Sequence, residues 1–177
     1  ALAPRLSALR RTLHRAPELG GDTAQTQHLI RRTLTQLGVT LPEVPPQAGV
    51  IGLIHGSHPG PCILLRADMD ALPIQEQSGA DYASQVPGVM HACGHDAHVA
   101  WLLGAAQLLM ERRDQLAGTV KLAFQPCEES TAGPGVREMI AAGDLENPQV
   151  DMAIAAHVSP QLPAGTLGVS AGPVTGA

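Results

Sequence analysis

Aromatic residues are nearly absent from this sequence, which has one Trp, one Tyr and one Phe among 177 residues. Its core must therefore be built from Leu, Ile, Val, Ala and Met. Hydrophobic residues make up 44% of the chain and charged residues 15%, which is the composition of a globular protein rather than a disordered one. The length predicts a single domain that can bury a core of its own.

Positive charge is also scarce, since Lys121 is the only lysine and the net charge is −5. Nucleic-acid binding needs clustered cations, so we expect no nucleic-acid partner. No apolar run approaches the ~20 residues of a membrane-spanning helix, and residues 1–15 do not resemble a signal peptide. Three scattered cysteines argue against a disulfide framework and favour a reducing compartment. We therefore expect a cytoplasmic protein with no membrane partner.

Apolar residues at helical spacing predict helices over residues 5–14, 96–112 and 135–142, and another between Asp22 and Gly38. Asp22 is the predicted N-cap of that second helix, with Gln25 as its capping-box partner, and Gly38 is the predicted stop. The long segment from Asp68 to His91 is expected to be a loop, and a loop of this length in a compact domain is usually functional or disordered.

Short apolar runs predict strands over residues 50–55, 62–67, 119–124, 152–156 and 166–170. The turn between the first two predicts an antiparallel hairpin. We expect the fourth strand to be buried and the fifth to be a short edge strand. Because strands alternate with helices after residue 61, the predicted fold class is α/β, with a mixed, mainly parallel sheet flanked by helices.

Four polar clusters each follow a predicted strand or begin the helix after one. In open α/β sheets, ligands bind beyond the carboxyl ends of the strands, so we expect these clusters to converge on one site. The clusters are Asp68 with Asp70; His91, Cys93, His95, Asp96 and His98; Glu128 with Glu129; and His157. Taken one at a time, the first fits a turn or cap, the third an exposed acidic turn, and the fourth a surface histidine.

The second cluster is the densest, with three His, one Cys and one Asp within eight residues. Cys93 and His95 are two positions apart, which allows them to chelate one ion or bridge two, and their donors suit zinc and its first-row neighbours. Asp96 is predicted to orient a ligating His from the second shell or to cap the following helix. Of the adjacent carboxylates Glu128 and Glu129, one can bind a metal ion while the other takes a proton from activated water.

Two other functions stay open at this point. One is a metal-free hydrolase in which Cys93 is the nucleophile and His95 or His98 is the base. The other is a metal-binding domain without catalytic activity.

Five segments together resemble the amidohydrolase branch of the metal-dependent aminoacylase and carboxypeptidase superfamily (zinc exopeptidases). That branch includes N-acyl-amino-acid amidohydrolases, hippurate hydrolases and auxin-conjugate hydrolases. The most specific motif is Cys-Gly-His-Asp at residues 93–96. The five segments are LHRAPELG at 13–20, RADMDALPI at 66–74, MHACGHDAH at 90–98, FQPCEE at 124–129 and HVSP at 157–160.

The resemblance implies two divalent metal ions, which would be zinc, manganese, cobalt or nickel. Cys93 would bridge the two ions, His95 and His157 would bind one ion, and Glu129 would bind the other. Glu128 would be the general base that activates water and passes its proton to the leaving amine.

The implied reaction is the metal-dependent hydrolysis of the amide bond of N-acyl amino acids, with a small molecule as substrate. Metallo-carboxypeptidase and N-acetyl deacetylase activities share these motifs and remain alternatives. Asp70 is implied to be catalytic by orienting a ligand, and Asp68 is implied to lie in the second shell.

In this family a lid and dimerisation domain begins at about residues 172–177. The resemblance therefore implies that residues 1–177 are the N-terminal portion of a metal-binding catalytic domain, truncated before the lid domain. A further His ligand would then be missing, so the fragment alone could be inactive. The full-length form would be a homo-oligomer through the missing domain. Cys127 stands where alanine is more usual, and we expect it to be a small buried residue.

Overall fold

The computed structural model describes residues 1–130, 135–169 and 171. Its centre is a four-stranded sheet in the order β1-β3-β2-β4. The strands are β1 (Val50–His55), β2 (His58–Asp68), β3 (Ala117–Gln125) and β4 (Met152–Ala155). The helices are α1 (Leu2–Arg15), α2 (Ala24–Leu37), α3 (His95–Met110) and α4 (Val136–Ala141), with short 3₁₀ turns at Pro46–Ala48 and Arg113–Gln115. The predicted α/β class, with a mixed and mainly parallel sheet, is confirmed.

The strand pairing differs from the predicted hairpin. β2 pairs in parallel with β3 and β4, whereas β1 pairs antiparallel with β3, so the hairpin of residues 50–55 and 62–67 is wrong. The connection between β1 and β2 passes across the start of β3, where the Gly56 N–H donates to the Gly118 carbonyl at 2.9 Å. Gly118 has φ +83°, and a Cβ there would lie 1.9 Å from the Pro61 carbonyl oxygen. Only glycine fits at this crossing.

Helices α1, α2 and α3 cover one face of the sheet and enclose the main core. As the composition predicts, this core is aliphatic apart from Phe124, which is fully buried on β3. Gly38 ends α2 in the left-handed conformation (φ 79°), as predicted. The fully buried members of this core, besides Phe124, include Ile30, Leu34, Val50, Met69, Ala106 and Leu122.

The opposite face of the sheet carries α4 and a buried lysine. Lys121 is 2% exposed, and its Nζ donates to the backbone carbonyls of Asp144, Glu146 and Pro148 at 2.8, 2.6 and 3.1 Å. These hydrogen bonds satisfy the three donors of the ammonium group. Through these hydrogen bonds, the lysine holds the segment after α4 against the centre of the sheet.

Two predictions about the later strands are wrong. β4 was expected to be buried, but among the described residues it lies at the edge of the sheet and pairs only with β2. All four of its residues are exposed. Residues 166–169 form no strand, and Ser170 lies outside the described residues. An apolar run has the same sequence whether or not another element covers it, so the pattern alone overstated burial.

The start of α2 also differs from the prediction. The helix begins at Ala24 with Thr23 as N-cap, so Asp22 and Gln25 do not form the expected capping box. Instead the Glu18 carboxylate accepts hydrogen bonds from the backbone N–H groups of Gln25 and Thr26, at 3.0 and 2.8 Å. A carboxylate at a helix N-terminus satisfies free N–H groups and stabilises the helix dipole.

The three parallel strands end at the same edge of the sheet. Asp68 is paired with Gln125 in the parallel register, and Arg66 lies opposite Ala155. The polar segments that follow β2, β3 and β4 therefore begin side by side. No helix in the described part of the chain is long and apolar enough to cross a membrane.

Candidate metal centre

His95 is at the centre of the polar groups gathered at this edge. It is the first residue of α3, is 1% exposed, and its Nδ1 lies 2.9 Å from the Asp70 backbone carbonyl. A carbonyl oxygen can only accept, so Nδ1 must carry the hydrogen. The other nitrogen, Nε2, is buried and has no hydrogen-bond partner within the described residues. A buried, unpartnered imidazole nitrogen is costly unless something binds it.

Carboxylate, thiol and imidazole groups surround that nitrogen. The nearest oxygens of Glu129 and Glu128 lie 3.7 and 4.0 Å from His95 Nε2. Cys93 Sγ lies 3.4 Å from His157 Nε2. Cys93, His95 and His157 form one set of donor atoms within 4.8 Å of one another, and His95, Glu128 and Glu129 form another.

The His157 ring is oriented by the same kind of hydrogen bond as the His95 ring. Its Nδ1 lies 2.6 Å from the Val158 carbonyl and therefore donates to it, which leaves Nε2 facing Cys93. Histidines that bind metals nearly always donate their other ring N–H to a carbonyl or carboxylate in this way. Both histidines thus present Nε2 to the same cluster.

The turn between Cys93 and His95 depends on Gly94. This residue is the N-cap of α3 and has φ +86°. A Cβ at Gly94 would lie 2.4 Å from a side-chain carbon of Val158, so the glycine also lets the segment that carries His157 approach. Gly94 therefore allows a tight turn between Cys93 and His95.

The electrostatics of the cluster favour bound positive charge. Burial, together with a hydrogen bond to Glu129 and the charges of Glu129, Asp68 and Glu128, raises the pKa of the Cys93 thiol to about 12. Burial by itself would lower the pKa of His95, but the carboxylates around it raise the pKa instead. A nucleophilic cysteine needs the opposite environment, one that lowers its pKa. The arrangement therefore argues against Cys93 as a metal-free nucleophile.

A third set of donor atoms, Asp68, His95 and His98, is not arranged as a metal site. His98 Nδ1 already donates to Asp68 Oδ1 at 2.5 Å, and Arg66 Nη1 donates to Asp68 Oδ2 at 2.8 Å. Burial would raise the pKa of Asp68, but the His98 hydrogen bond and the charges of His95, Arg66 and His98 hold it at about 2. Asp68 is therefore an ionised, hydrogen-bonded carboxylate behind His95.

Asp70 connects two of the predicted ligands. Its backbone carbonyl accepts from His95, and its Oδ2 accepts from the Glu129 backbone N–H at 3.1 Å. Its Oδ1 is buried and 3.4 Å from His95 Nδ1. The contacts fit the predicted role of Asp70 in orienting a ligand.

Asp96 faces away from the predicted ligands. It lies in the first turn of α3, where Gly94 is the N-cap, and its Oδ2 accepts from Arg10 Nε and His14 Nδ1 at 3.0 and 2.8 Å. The other nitrogen of His14 contacts Glu76 at 3.2 Å. Asp96 thus joins α1 to α3, and these contacts do not support the predicted second-shell role or the capping alternative. No local sequence pattern indicates its partners, which are more than 80 positions away.

His91 and Cys127 complete the set of residues that the sequence singled out. His91 is buried without a hydrogen-bond partner in the described part of the chain, and burial lowers its pKa to about 4. Cys127 is buried, as predicted, and it has φ 54°, which is unusual for a residue other than glycine. Its N–H donates to the Gly20 carbonyl at 2.9 Å, which fixes the turn from β3 into Glu128 and Glu129.

Comparison with known proteins gives a consistent result. The family model of peptidase family M20/M25/M40 matches residues 64–174. N-acetylcysteine deacetylase of Bacillus subtilis is 46% identical over 175 residues, which cover 98% of this chain and 45% of that protein. Thermostable carboxypeptidase 1 of Saccharolobus solfataricus is 44% identical over 167 residues, which cover 94% of this chain and 42% of that protein.

A solved structure has the same fold and a described metal site. The Bacillus subtilis YXEP protein, described as a dinuclear metal binding peptidase from the M20 family, superposes with a TM-score of 0.91 at 46% identity. The match covers 97% of this chain and 48% of that one. The chain therefore spans less than half the length of these relatives.

Proposed function

The chain belongs to peptidase family M20/M25/M40, and from this membership we propose that it supplies the metal-binding catalytic part of an amidohydrolase that cleaves N-acyl amino acids. One observation carries the proposal: His95 and His157 each donate Nδ1–H to a backbone carbonyl and present Nε2 to a cluster of thiol and carboxylate groups. Residues 1–177 are proposed as the N-terminal portion of the catalytic domain, because the relatives are about twice as long.

The donor set fits two divalent ions. Cys93, His95, Glu129 and His157 are the residues that would hold these ions. Sulfur, imidazole and carboxylate donors suit zinc, manganese, cobalt or nickel, and a relative of known structure is described as dinuclear. When bound, such ions polarise the acyl carbonyl, lower the pKa of water and stabilise the negative charge of the tetrahedral transition state.

Glu128 is the proposed general base. Its side chain is 40% exposed, more than the 23% of Glu129, and its Oε2 lies 4.0 Å from His95 Nε2. It can therefore reach both the cluster and an incoming substrate. Glu128 takes a proton from the attacking water and gives it to the leaving amine, while Asp70 holds His95 and the Glu129 backbone in place.

Carboxypeptidase activity is the second candidate, because a relative of 44% identity is named as a carboxypeptidase. Both reactions hydrolyse an amide bond next to an amino acid that becomes free, so the same cluster serves either. Acetate release from N-acetyl amino acids, compared with release of the C-terminal residue from peptides, separates the two.

Metal content is the first test. Elemental analysis of protein purified without chelator should find bound zinc, manganese, cobalt or nickel in the wild type, with less metal in Cys93→Ser and Glu129→Ala. Cys62→Ser is the control, because Cys62 is another free cysteine but lies on β2, away from the cluster. A wild-type protein that binds no metal even after reconstitution would contradict the proposal.

A further inference from the structure

The segment that carries His157 is tied to the buried part of the site through its neighbour. β4 ends at Ala155, and His157 is exposed on the irregular chain beyond it. The Val158 N–H donates to His98 Nε2 at 3.0 Å. His98 is buried on α3, and its ring lies 4.6 Å from the ring of His157, at 71°.

These contacts fix the hydrogen positions on His98. Because Nε2 accepts a hydrogen bond from a backbone N–H, it has no hydrogen of its own. The hydrogen of the neutral ring is therefore on Nδ1, where it is donated to Asp68. Asp68 is in turn held by Arg66, and Arg66 Nε donates to the Gln125 side chain at 3.0 Å. A continuous series of hydrogen bonds thus runs from β3 to the Val158 backbone.

We propose that His98 is a positioning residue that holds His157 beside Cys93 through the Val158 N–H, and that Asp68 fixes the His98 tautomer needed for this contact. The inference deepens the proposed function and rests on it for the role of His157. His98 binds no ion itself, since both of its ring nitrogens are occupied by hydrogen bonds.

The packing around Val158 makes that contact decisive for the position of His157. The Val158 side chain fits over Gly94, and its carbonyl accepts from His157 Nδ1. Loss of the His98 acceptor would leave the Val158 N–H without a partner in a half-buried position, where water competes for it. The His157 ring would then lose the fixed backbone that directs Nε2 at Cys93.

Three substitutions of His98 separate hydrogen bonding from packing. In His98→Gln the side-chain carbonyl can reach the position of Nε2 and accept from Val158. In His98→Asn the amide reaches only the position of Nδ1 and can contact Asp68, but not Val158. His98→Leu fills similar space and makes neither hydrogen bond.

The readouts are hydrogen exchange of the Val158 amide in the metal-free protein, and the affinity for Co²⁺ with the absorption of its bond to the Cys93 sulfur. We expect Val158 exchange to accelerate in the Asn and Leu variants and to stay near wild type in Gln. Co²⁺ affinity should fall about 10–100-fold in Asn and Leu, the size of effect usual for groups that orient metal ligands, and only a few-fold in Gln.

His91→Leu is the control, because it removes another buried histidine and should leave Val158 exchange unchanged. Equal exchange in the three His98 variants, or a loss of Co²⁺ affinity in Gln as large as in Leu, would overturn the inference. The exchange measurement needs no metal. If the wild-type chain bound no Co²⁺, the proposed function would fail while exchange still decided whether His98 positions this segment.

Discussion

The two halves of the candidate metal centre are built differently. Asp68, Asp70 and His95 lie between the end of β2 and the start of α3, are at most 2% exposed, and are held by hydrogen bonds to buried groups. The end of β2 and the start of α3 therefore set the geometry of this buried half.

The open half, made of Glu128, Glu129 and His157, follows β3 and β4 on irregular segments exposed to solvent. A backbone N–H in each of these segments donates to a buried side chain. The Glu129 N–H donates to Asp70, and the Val158 N–H donates to His98. The comparison teaches that exposed residues carry the proposed base and two proposed ligands, while buried side chains hold their backbone in position.

The largest expected effect is on the rate of the reaction and not on metal binding. Glu128→Gln keeps the size of the side chain but removes the base, so we expect kcat of the active protein for N-acyl amino acids to fall about 10²–10⁴-fold. Metal content should stay near wild type. Glu43→Gln, an exposed glutamate elsewhere, is the matched control. Loss of metal together with activity would mean that Glu128 is a ligand instead.

Removal of a ligand should cost more in the buried half than in the open half. His95 belongs to every donor set at the site, so His95→Ala should weaken binding by about 4 kcal/mol, on the order of 1,000-fold. Glu129→Ala should cost less, about 100-fold, because water can replace a partly exposed carboxylate. Competition with a chromophoric chelator measures both. Equal losses of metal affinity in the two variants would contradict the expected difference between the buried half and the open half.

Buried and exposed positions of the sheet should also differ in their contribution to the free energy of unfolding, independently of metal. Leu122→Ala in the centre of β3 removes a fully buried side chain and should cost about 3 kcal/mol in the free energy of unfolding. Ile154→Ala on β4 affects a side chain that is 49% exposed and should cost less than about 1 kcal/mol. Urea denaturation of metal-free protein measures the pair. A large cost at Ile154 would contradict the exposed position of β4.

An effect smaller than that of Leu122→Ala concerns the buried carboxylate of Asp144, whose Oδ2 has no hydrogen-bond partner among the described residues. Burial raises the pKa of Asp144 to about 6, and Lys121 offsets this only in part. The native pKa lies above the ordinary value of about 3.9, so stability should decrease as pH rises from about 4 to about 6. Asp144→Asn should therefore be more stable than wild type above pH 6, by on the order of 2 kcal/mol.

Thermal unfolding of metal-free protein at several pH values checks this, with Asp114→Asn, which changes an exposed aspartate, as the control. A wild type and Asp144→Asn that differ by the same amount at pH 4 and pH 7 would contradict the prediction.

The sequence predicted which polar residues come together at this edge better than it predicted the order of the strands. Parallel strands share one direction, so residues placed after Asp68, Gln125 and Ala155 must meet at one edge whatever the strand order. Strand order depends on which edges pair across long separations. The short β1–β2 connection suggested a hairpin, yet β3 inserts between the two strands, and no local pattern encodes that choice.

The hydrogen bonds that hold the site residues in place could not be predicted from the sequence for a similar reason. His98 was one histidine among three in a dense motif, and its partner is a backbone N–H 60 positions later, which has no side-chain signature. The partners of Asp96 on α1 were equally remote. Chemistry-bearing residues can be recognised from their types and spacing, whereas the groups that orient them are identified by three-dimensional proximity.

Chemical labelling of Lys121 can report when the segment after α4 separates from the sheet. It is the only lysine, and its amine is enclosed by three backbone carbonyls beneath the segment after α4. Side-chain amine reagents should therefore find no lysine to label while the sheet is intact. Acylation at this position would mark molecules in which that segment has detached, so the rate of labelling counts opening events at a single, known place.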